Sequence, residues 1–365
     1  MSSPLWAVLP GGIDDPAAPS GGNLYDRIVL DLLATGWPGE PAGAGRDVQE
    51  IAVAGDWPRP GETAGRALRR ALADIPDASV VLLDGLVACG VPEILEPHAD
   101  RLRLMILVHL PLSDETGLPP ADAADLRELE RRALHLASAV VATSTAAAQR
   151  VRDMHGLAAV MTAEPGVHPA DPARPDPAGR RLLNVASVTP RKGQDLLVTA
   201  LEQHIAGLDW QCTVVGALTR PVPHTDARIT FTGPRTGDAL DRSYADADLF
   251  VLPSRAETYG MVVTEALARG LPVIAAEVPG VPQALGAGPD GTRPGRLIPP
   301  DDPAALAAAL RDWLTDAGLR DRWRTAARAR RATLPSWTTT ARRIAGYVDD
   351  LSAGGDTRRA GEDHR

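Results

Sequence analysis

Short apolar runs alternate with longer stretches of helical period along this chain. LWAVLP at 5–10, then QEIAV, SVVLLD, RLMILVH and AVVAT, read as buried strands. Leu24, Ile28, Leu32 and Leu33 recur at helical spacing, which predicts a helix from about Asn23 to Thr35 behind a Gly/Pro-rich loop. Further helices are predicted at 62–74 and 121–138, and AAVMT at 158–162 reads as a short closing strand. The polar, proline-rich stretch 168–180 reads as a linker.

A second series follows. RLLNVASV, QCTVVG, RITFTG, DLFVLP and LPVIAAE read as strands. GQDLLVTALEQHI reads as a helix, and ETYGMVVTEALARG as a loop running into one. Helices are predicted at 302–316 and 318–333 and from about Trp337 to Leu351, before a polar tail. Strands alternating with helices predict parallel sheets covered by helices, with ligands at the carboxyl ends of the strands. The loops after strands are therefore where chemistry is expected.

Composition narrows the classes. The chain has 365 residues, enough for two domains, with 44% hydrophobic and 23% charged residues, as in a globular protein. A net charge of −9 argues against a nucleic-acid partner. Cys89 and Cys212 lack metal-ligand spacing and read as buried thiols in a reducing compartment. The N-terminal stretch does not read as a signal peptide, and no apolar run approaches the ~20 residues that span a bilayer. A cytoplasmic location is the expectation, and membrane association is not indicated. Arg69, Arg70, Arg131 and Arg132 are too few to argue for a lipid surface.

The strongest chemical signal lies in 245–285. Glu257 and Glu265 flank a predicted strand–loop–helix junction. A helix starting near Tyr259 would carry Glu265 roughly 9 Å down its axis, at ~1.5 Å per residue. Its mouth, at Tyr259, Gly260, Met261 and Val262, would offer N–H groups and the positive dipole end to a diphosphate. Either carboxylate alone could be ordinary helix decoration, Glu265 pairing with Arg269 for example. A glutamate inside the apolar MVVTEALA after a glycine is better explained by a ligand. Arg191 and Lys192, after another strand, could neutralise a leaving diphosphate, though a solvated basic loop is the plain alternative. Gly21 and Gly22 precede a helix, where backbone can approach a phosphate closely or simply turn. His109 ends a predicted strand; a packed histidine is the bland reading, and its strand-end place favours the site. DAD at 246–248 reads as a helix end, so no metal site is expected there.

These motifs resemble the retaining glycosyltransferases of family 4, which have the GT-B fold. DADLFVLPS, then Glu257 and Glu265, then GLPVIAA match that family's donor-binding segment, and VASVTPRKGQDLLVTAL is similar to its Lys-Gly motif at Lys192–Gly193. The resemblance covers nearly the whole chain and is most specific over 245–276. It departs where Tyr259 stands for the usual Phe, Gln283 for an acidic residue, Ser187 for an Arg and Trp37 for a His. Arg191 is the guanidinium that could replace the one absent at Ser187.

The resemblance implies an α/β protein of two doubly wound Rossmann-like domains whose parallel sheets face a central cleft. An acceptor-binding domain is expected over 1–170, a donor-binding domain over 171–335, a helix at 336–352 crossing back onto the first domain, and a disordered tail at 353–365. It implies hexose transfer from a UDP- or GDP-linked sugar to a hydroxyl acceptor, with retention and no protein nucleophile; the lack of a basic lipid-facing surface makes a soluble metabolite or saccharide the expected acceptor. The nucleotide-sugar is a substrate; neither cofactor nor metal is expected. Catalytic roles fall to His109, Arg191, Lys192 and Glu257. Donor binding falls to Gly21, Gly22, Lys192, Glu257, Tyr259, Gly260, Met261, Val262 and Glu265, with Glu257 on the sugar hydroxyls and Glu265 on the ribose. An epimerase or phosphorylase on the same fold, or a non-catalytic nucleotide-sugar-binding subunit, are the alternatives.

Overall fold

A computed structural model describes residues 4–15, 20–39, 41, 43–115 and 117–354. Residues 16–19 of the first loop, Thr116 and 355–365 of the expected tail lie outside them. The chain divides into two compact units, the described residues of Met1–Gly166 with those of Ser336–Arg365, and Val167–Pro335.

The first unit runs β1 (Leu5–Pro10), α1 (Gly21–Thr35), β2 (Val48–Val53), α2 (Glu62–Asp74), β3 (Val80–Asp84), two single turns α3 (Gly85–Ala88) and α4 (Pro92–Leu95), β4 (Arg103–Val108), α5 (Pro120–Leu136), β5 (Ala139–Ala142), α6 (Thr145–His155) and β6 (Met161–Thr162). Its strands form one parallel sheet in the order β2-β1-β3-β4-β5-β6. The central strands β3 and β5 are buried throughout, because helices cover both faces, and their sequences VVLLD and AVVA are accordingly almost wholly apolar. Strand order reverses between β1 and β3, so the loops leaving these two strands part to opposite faces and open a crevice.

The second unit repeats the plan: β7 (Arg181–Val185), α7 (Gln194–Thr199) with a π-turn over Ala200–His204, β8 (Gln211–Val215), β9 (Ile229–Phe231), α8 (Gly237–Ala245), β10 (Leu249–Leu252), α9 (Met261–Ala268), β11 (Val273–Ala276), α10 (Val281–Leu285), β12 (Gly295–Ile298), α11 (Pro303–Thr315) and α12 (Ala317–Arg331). The parallel order is β12-β11-β10-β7-β8-β9, and its reversal lies between β7 and β10. One apolar cluster centred on Trp210, Leu249 and Trp313 lies on one side of this sheet, and another on Phe250, Val263 and Leu267 on the other. A final helix, α13 (Trp337–Ser352), packs on α1 of the first unit. Its Trp337 meets Tyr25 edge to face, with centroids 5.5 Å apart.

Several expectations shift. The strand expected at 158–162 shrinks to Met161–Thr162, at the sheet edge. The helix expected to follow Gly21 and Gly22 instead includes them: Ser20 caps it, its hydroxyl accepting from Asn23 N at 3.5 Å. The helix expected near Tyr259 begins at Met261, behind Gly260 at φ 91°, a left-handed value that favours glycine. The short helices α3, α4, α8 and α10 and the strand β12 carried too little periodic pattern to be predicted. Among the described residues no helix is long and apolar enough to cross a membrane.

Candidate active site

In the second unit the sequence-predicted residues converge on the reversal between β7 and β10. The loop after β7 carries Arg191 and Lys192; the loop after β10 carries Glu257. Gly193 holds the loops together: at φ 68°, a Cβ there would lie 2.1 Å from Pro253 O, so only glycine lets the chains approach. Arg255 N donates to Arg191 O at 2.7 Å, stitching one loop to the other. The Arg255 guanidinium adds ion pairs to Asp195 at 2.7 Å and Asp301 at 2.6 Å and a bond to Pro190 O at 2.6 Å. Arg255 was not singled out in the sequence, because its partners come from two distant stretches, 190–195 and Asp301.

At the centre, Lys192 Nζ donates to Glu257 Oε1 at 2.6 Å, and Ser254 Oγ donates to the same oxygen at 2.8 Å. Arg191 Nη1 lies 4.0 Å from Glu257 Oε2 and donates to Ala256 O at 3.3 Å. Glu257 is buried, and burial by itself raises a carboxyl pKa. The charges of Lys192 and Arg191, with the bonds from Lys192 and Ser254, outweigh that and hold it below the ordinary value. Two cations and an ionised carboxylate therefore share one strand-end crevice. Ser187, where the family's Arg is absent, contributes its carbonyl, which accepts from Gln194 Nε2 at 3.2 Å.

The mouth of α9 opens beside Glu257. Gly260 forms the cap with no side-chain bond, so the N–H groups of the first turn, at Met261 and Val262, lie where a helix start lacks intrahelical partners. Tyr259 turns its ring into the apolar core below, where burial raises its phenol to about 12, so only its backbone belongs to the loop surface. Glu265 sits in the second turn of α9, half-buried. It does not pair with Arg269, which bonds its backbone carbonyl at 3.1 Å and pairs with Asp241. Instead Tyr244 Oη donates to Glu265 Oε2 at 2.8 Å, and burial pushes the Glu265 carboxyl up despite that bond. The DAD stretch serves structure: Asp246 ends α8, and fully buried Asp248 accepts from Asp176 N at 2.6 Å and Arg181 N at 2.8 Å.

In the first unit a separate group forms around His109, which follows β4. Gly22 packs on its ring; a Cβ at that position would lie 3.1 Å from His109 Cδ2. The glycine is needed for a side chain's approach, and Gly21 sits beside it in the same turn. Tyr25 meets the ring edge on, with centroids 5.2 Å apart. His109 Nε2 bonds Asp26 Oδ1 at 2.7 Å, and Asp84, at the end of β3, completes the cluster. Burial works to lower the His109 pKa, but Asp26 and Asp84 lift it to about 9. Asp84 is itself raised to about 7, first by burial and then by the charge of Asp26. Asp26 and Asp84 were missed in the sequence. The available signal was an acidic residue among apolar neighbours in NLYDRIVL and another closing SVVLLD.

The family model described as glycosyl transferases group 1 matches residues 179–316. Over 193 residues the chain is 33% identical to the GDP-mannose-dependent alpha-(1-6)-phosphatidylinositol monomannoside mannosyltransferase of Mycobacterium tuberculosis, covering 41% of this chain and 50% of that protein. Over 91 residues it is 42% identical to the sulfoquinovosyl transferase SQD2 of Arabidopsis thaliana, covering 25% and 18%. The chain thus spans half or less of these curated relatives. The structure of sucrose-phosphate synthase from Thermosynechococcus elongatus superposes with a TM-score of 0.71 at 21% identity, covering 96% of this chain and 100% of that one. Residues 179–316 are thus similar to the group 1 glycosyltransferases, and the fold is the one found in the sucrose-phosphate synthase structure.

Proposed function

We propose that the protein transfers a hexose from a nucleotide-diphosphate sugar to a hydroxyl acceptor, with retention and without a metal ion. The observation that carries this is the Lys192–Glu257 ion pair at the strand reversal, beside the open start of α9. A diphosphate at that helix start meets N–H groups and, from Lys192 and Arg191, cations that offset the charge of the departing group. Glu257, kept ionised, accepts hydrogen bonds from sugar hydroxyls; Glu265, oriented by Tyr244, accepts them from the ribose. The bond between the anomeric carbon and the diphosphate oxygen breaks as the acceptor oxygen bonds that carbon on the same face. The acceptor proton passes to the departing diphosphate, so no protein nucleophile is needed.

UDP and GDP are the nucleotides we propose, and the mannosyltransferase relative is named for a GDP-linked donor. A soluble metabolite or saccharide is the proposed acceptor, acted on in the cytoplasm; the free, buried thiols Cys89 and Cys212 suit a reducing compartment. The test is calorimetry against a panel of UDP- and GDP-sugars, with mass spectrometry of products in a crude cell extract. Binding of one donor by the wild type, lost in Glu265→Ala, supports the reading. Failure to bind any donor, or equal binding by Glu265→Ala, refutes it. Conversion of a donor with no acceptor would point to an epimerase, and a requirement for phosphate to a phosphorylase.

A further inference from the structure

We propose that Asp26 is a positioning residue that, backed by Asp84, fixes His109 as a permanent cation rather than a general base. Which reaction His109 serves rests on the function proposed above; the geometry of the cluster does not.

Three observations carry it. Asp26 Oδ1 bonds His109 Nε2 at 2.7 Å, which commits that ring nitrogen to the interior of the unit. Asp26 is 4% exposed, and its second oxygen, Oδ2, finds no hydrogen-bond donor among the described residues. A buried carboxylate oxygen without a donor is costly. Asp84 answers it: it is equally buried, and one of its carboxylate oxygens lies within 4.8 Å of an Asp26 oxygen and of a His109 ring nitrogen. A proton on Asp84 turns that carboxyl into the missing donor. The chain of groups then reads carboxylic acid, carboxylate, imidazolium, with opposite charges adjacent and one shared proton. The elevated values at Asp84 and His109 agree with this sharing.

Other titratable groups among the described residues act on this cluster or pack against it. From α1, Tyr25 packs on the ring, and burial holds its phenol neutral. From α13, Tyr347 and Arg343 act on Tyr25. Cys89 feels the charge of Asp84, and burial keeps it a thiol. An imidazolium locked to a buried carboxylate is a poor proton acceptor at neutral pH but a good fixed charge. His109 therefore acts on a ligand by charge and hydrogen bonding.

The experiment is a nitrogen-15 NMR titration of histidine-labelled full-length protein, with His109 assigned through His109→Gln. The wild type should keep the imidazolium through neutral pH, with its midpoint near 9. Asp26→Asn should move the midpoint down towards the ordinary 6.5, and Asp84→Asn, which removes the smaller attraction and keeps the bond from His109 to Asp26, should lower it less. Transfer assays should show kcat of Asp26→Asn reduced by about tenfold or more with donor affinity nearly unchanged. A neutral His109 at pH 7 in the wild type overturns the proposal even if Asp26→Asn fails to fold. So does an unmoved midpoint in Asp26→Asn, or displacement of the His109 proton by micromolar zinc. Absence of transfer with every donor, alongside the expected titration, would sink the functional reading alone.

Discussion

Lys192 and Glu257, 65 positions apart in sequence, are joined by a 2.6 Å ion pair across the point where strand order reverses. The pair ties one loop to another, so each partner fixes the other's place. It also balances charge where both side chains are largely withdrawn from water. Glu257→Ala leaves Lys192 without its partner, and urea unfolding should show a loss at the low end of roughly 3–5 kcal/mol, because Lys192 keeps some access to solvent. Donor binding should vanish with it. Glu257→Gln, which retains shape and a hydrogen-bond acceptor, should fold better yet still bind donor weakly. Wild-type affinity in Glu257→Gln would show that the carboxylate's charge has no role.

Glu265 depends on Tyr244. Tyr244→Phe removes the donor to Glu265 Oε2 and should destabilise by about 1–3 kcal/mol, the range for a buried acceptor losing its partner. The Glu265 carboxyl, already raised by burial, should rise further, since the bond from Tyr244 is the largest of the influences that lower it. Calorimetry of donor binding between pH 5 and 8 should show a stronger loss towards low pH in Tyr244→Phe than in the wild type. Identical pH profiles would place Glu265 away from the donor.

Gly22→Ala separates fold from function. The new methyl would meet the His109 ring at 3.1 Å, so the ring must shift. Within α1 the same change favours helix by about 1 kcal/mol. Thermal unfolding should therefore be nearly unaffected, while transfer should fall by about tenfold. A variant with full activity would show that the ring's position is loosely specified.

Arg255 acts as a clamp, with Asp195, Asp301 and Pro190 O all on its guanidinium. Removing it should loosen the loop that carries Arg191 and Lys192. Arg255→Ala should raise KM for donor more than it changes kcat, with far-UV circular dichroism preserved. Arg255→Lys should recover only part of the effect, since an ammonium cannot form the paired bonds to Asp195.

The acidic cluster sets a pH dependence whose sign follows from proton counting. His109 and Asp84 both have folded values above their unfolded ones, so the native state binds more protons. His109 contributes stability that is complete below 6.5 and lost as pH rises through about 9. Asp84 contributes stability that is present below 3.8 and lost as pH rises through about 7. The two losses overlap, so these groups make stability decline from mildly acidic to mildly alkaline pH. Glu257 works the other way: its lowered value contributes stability above the ordinary 4.5 that is lost as pH falls below it. Replacing Asp84 by Asn should flatten the decline between pH 4 and 7 in denaturant titrations; an unchanged slope would assign that decline to other groups.

Much of this protein follows from local pattern. Apolar runs such as VVLLD and LFVL admit only strands buried on both faces, and their alternation with helical stretches forces parallel sheets. Glu257, Glu265 and Gly260 stand out in the sequence because a carboxylate or a glycine at a strand–helix junction is costly without a use, and Lys192 because it follows a strand. Their neighbourhoods, however, were decided in three dimensions. That Lys192 reaches Glu257, that Tyr244 rather than Arg269 serves Glu265, and that Gly22 makes room for His109 depend on loops from distant strands meeting at a reversal of strand order. Asp26 and Asp84 lay outside any motif. Periodicity records which face of an element is buried, but not which buried polar group faces which. Hydrogen bonds and ion pairs fall off within a few ångströms, so only the packed chain determines those partners.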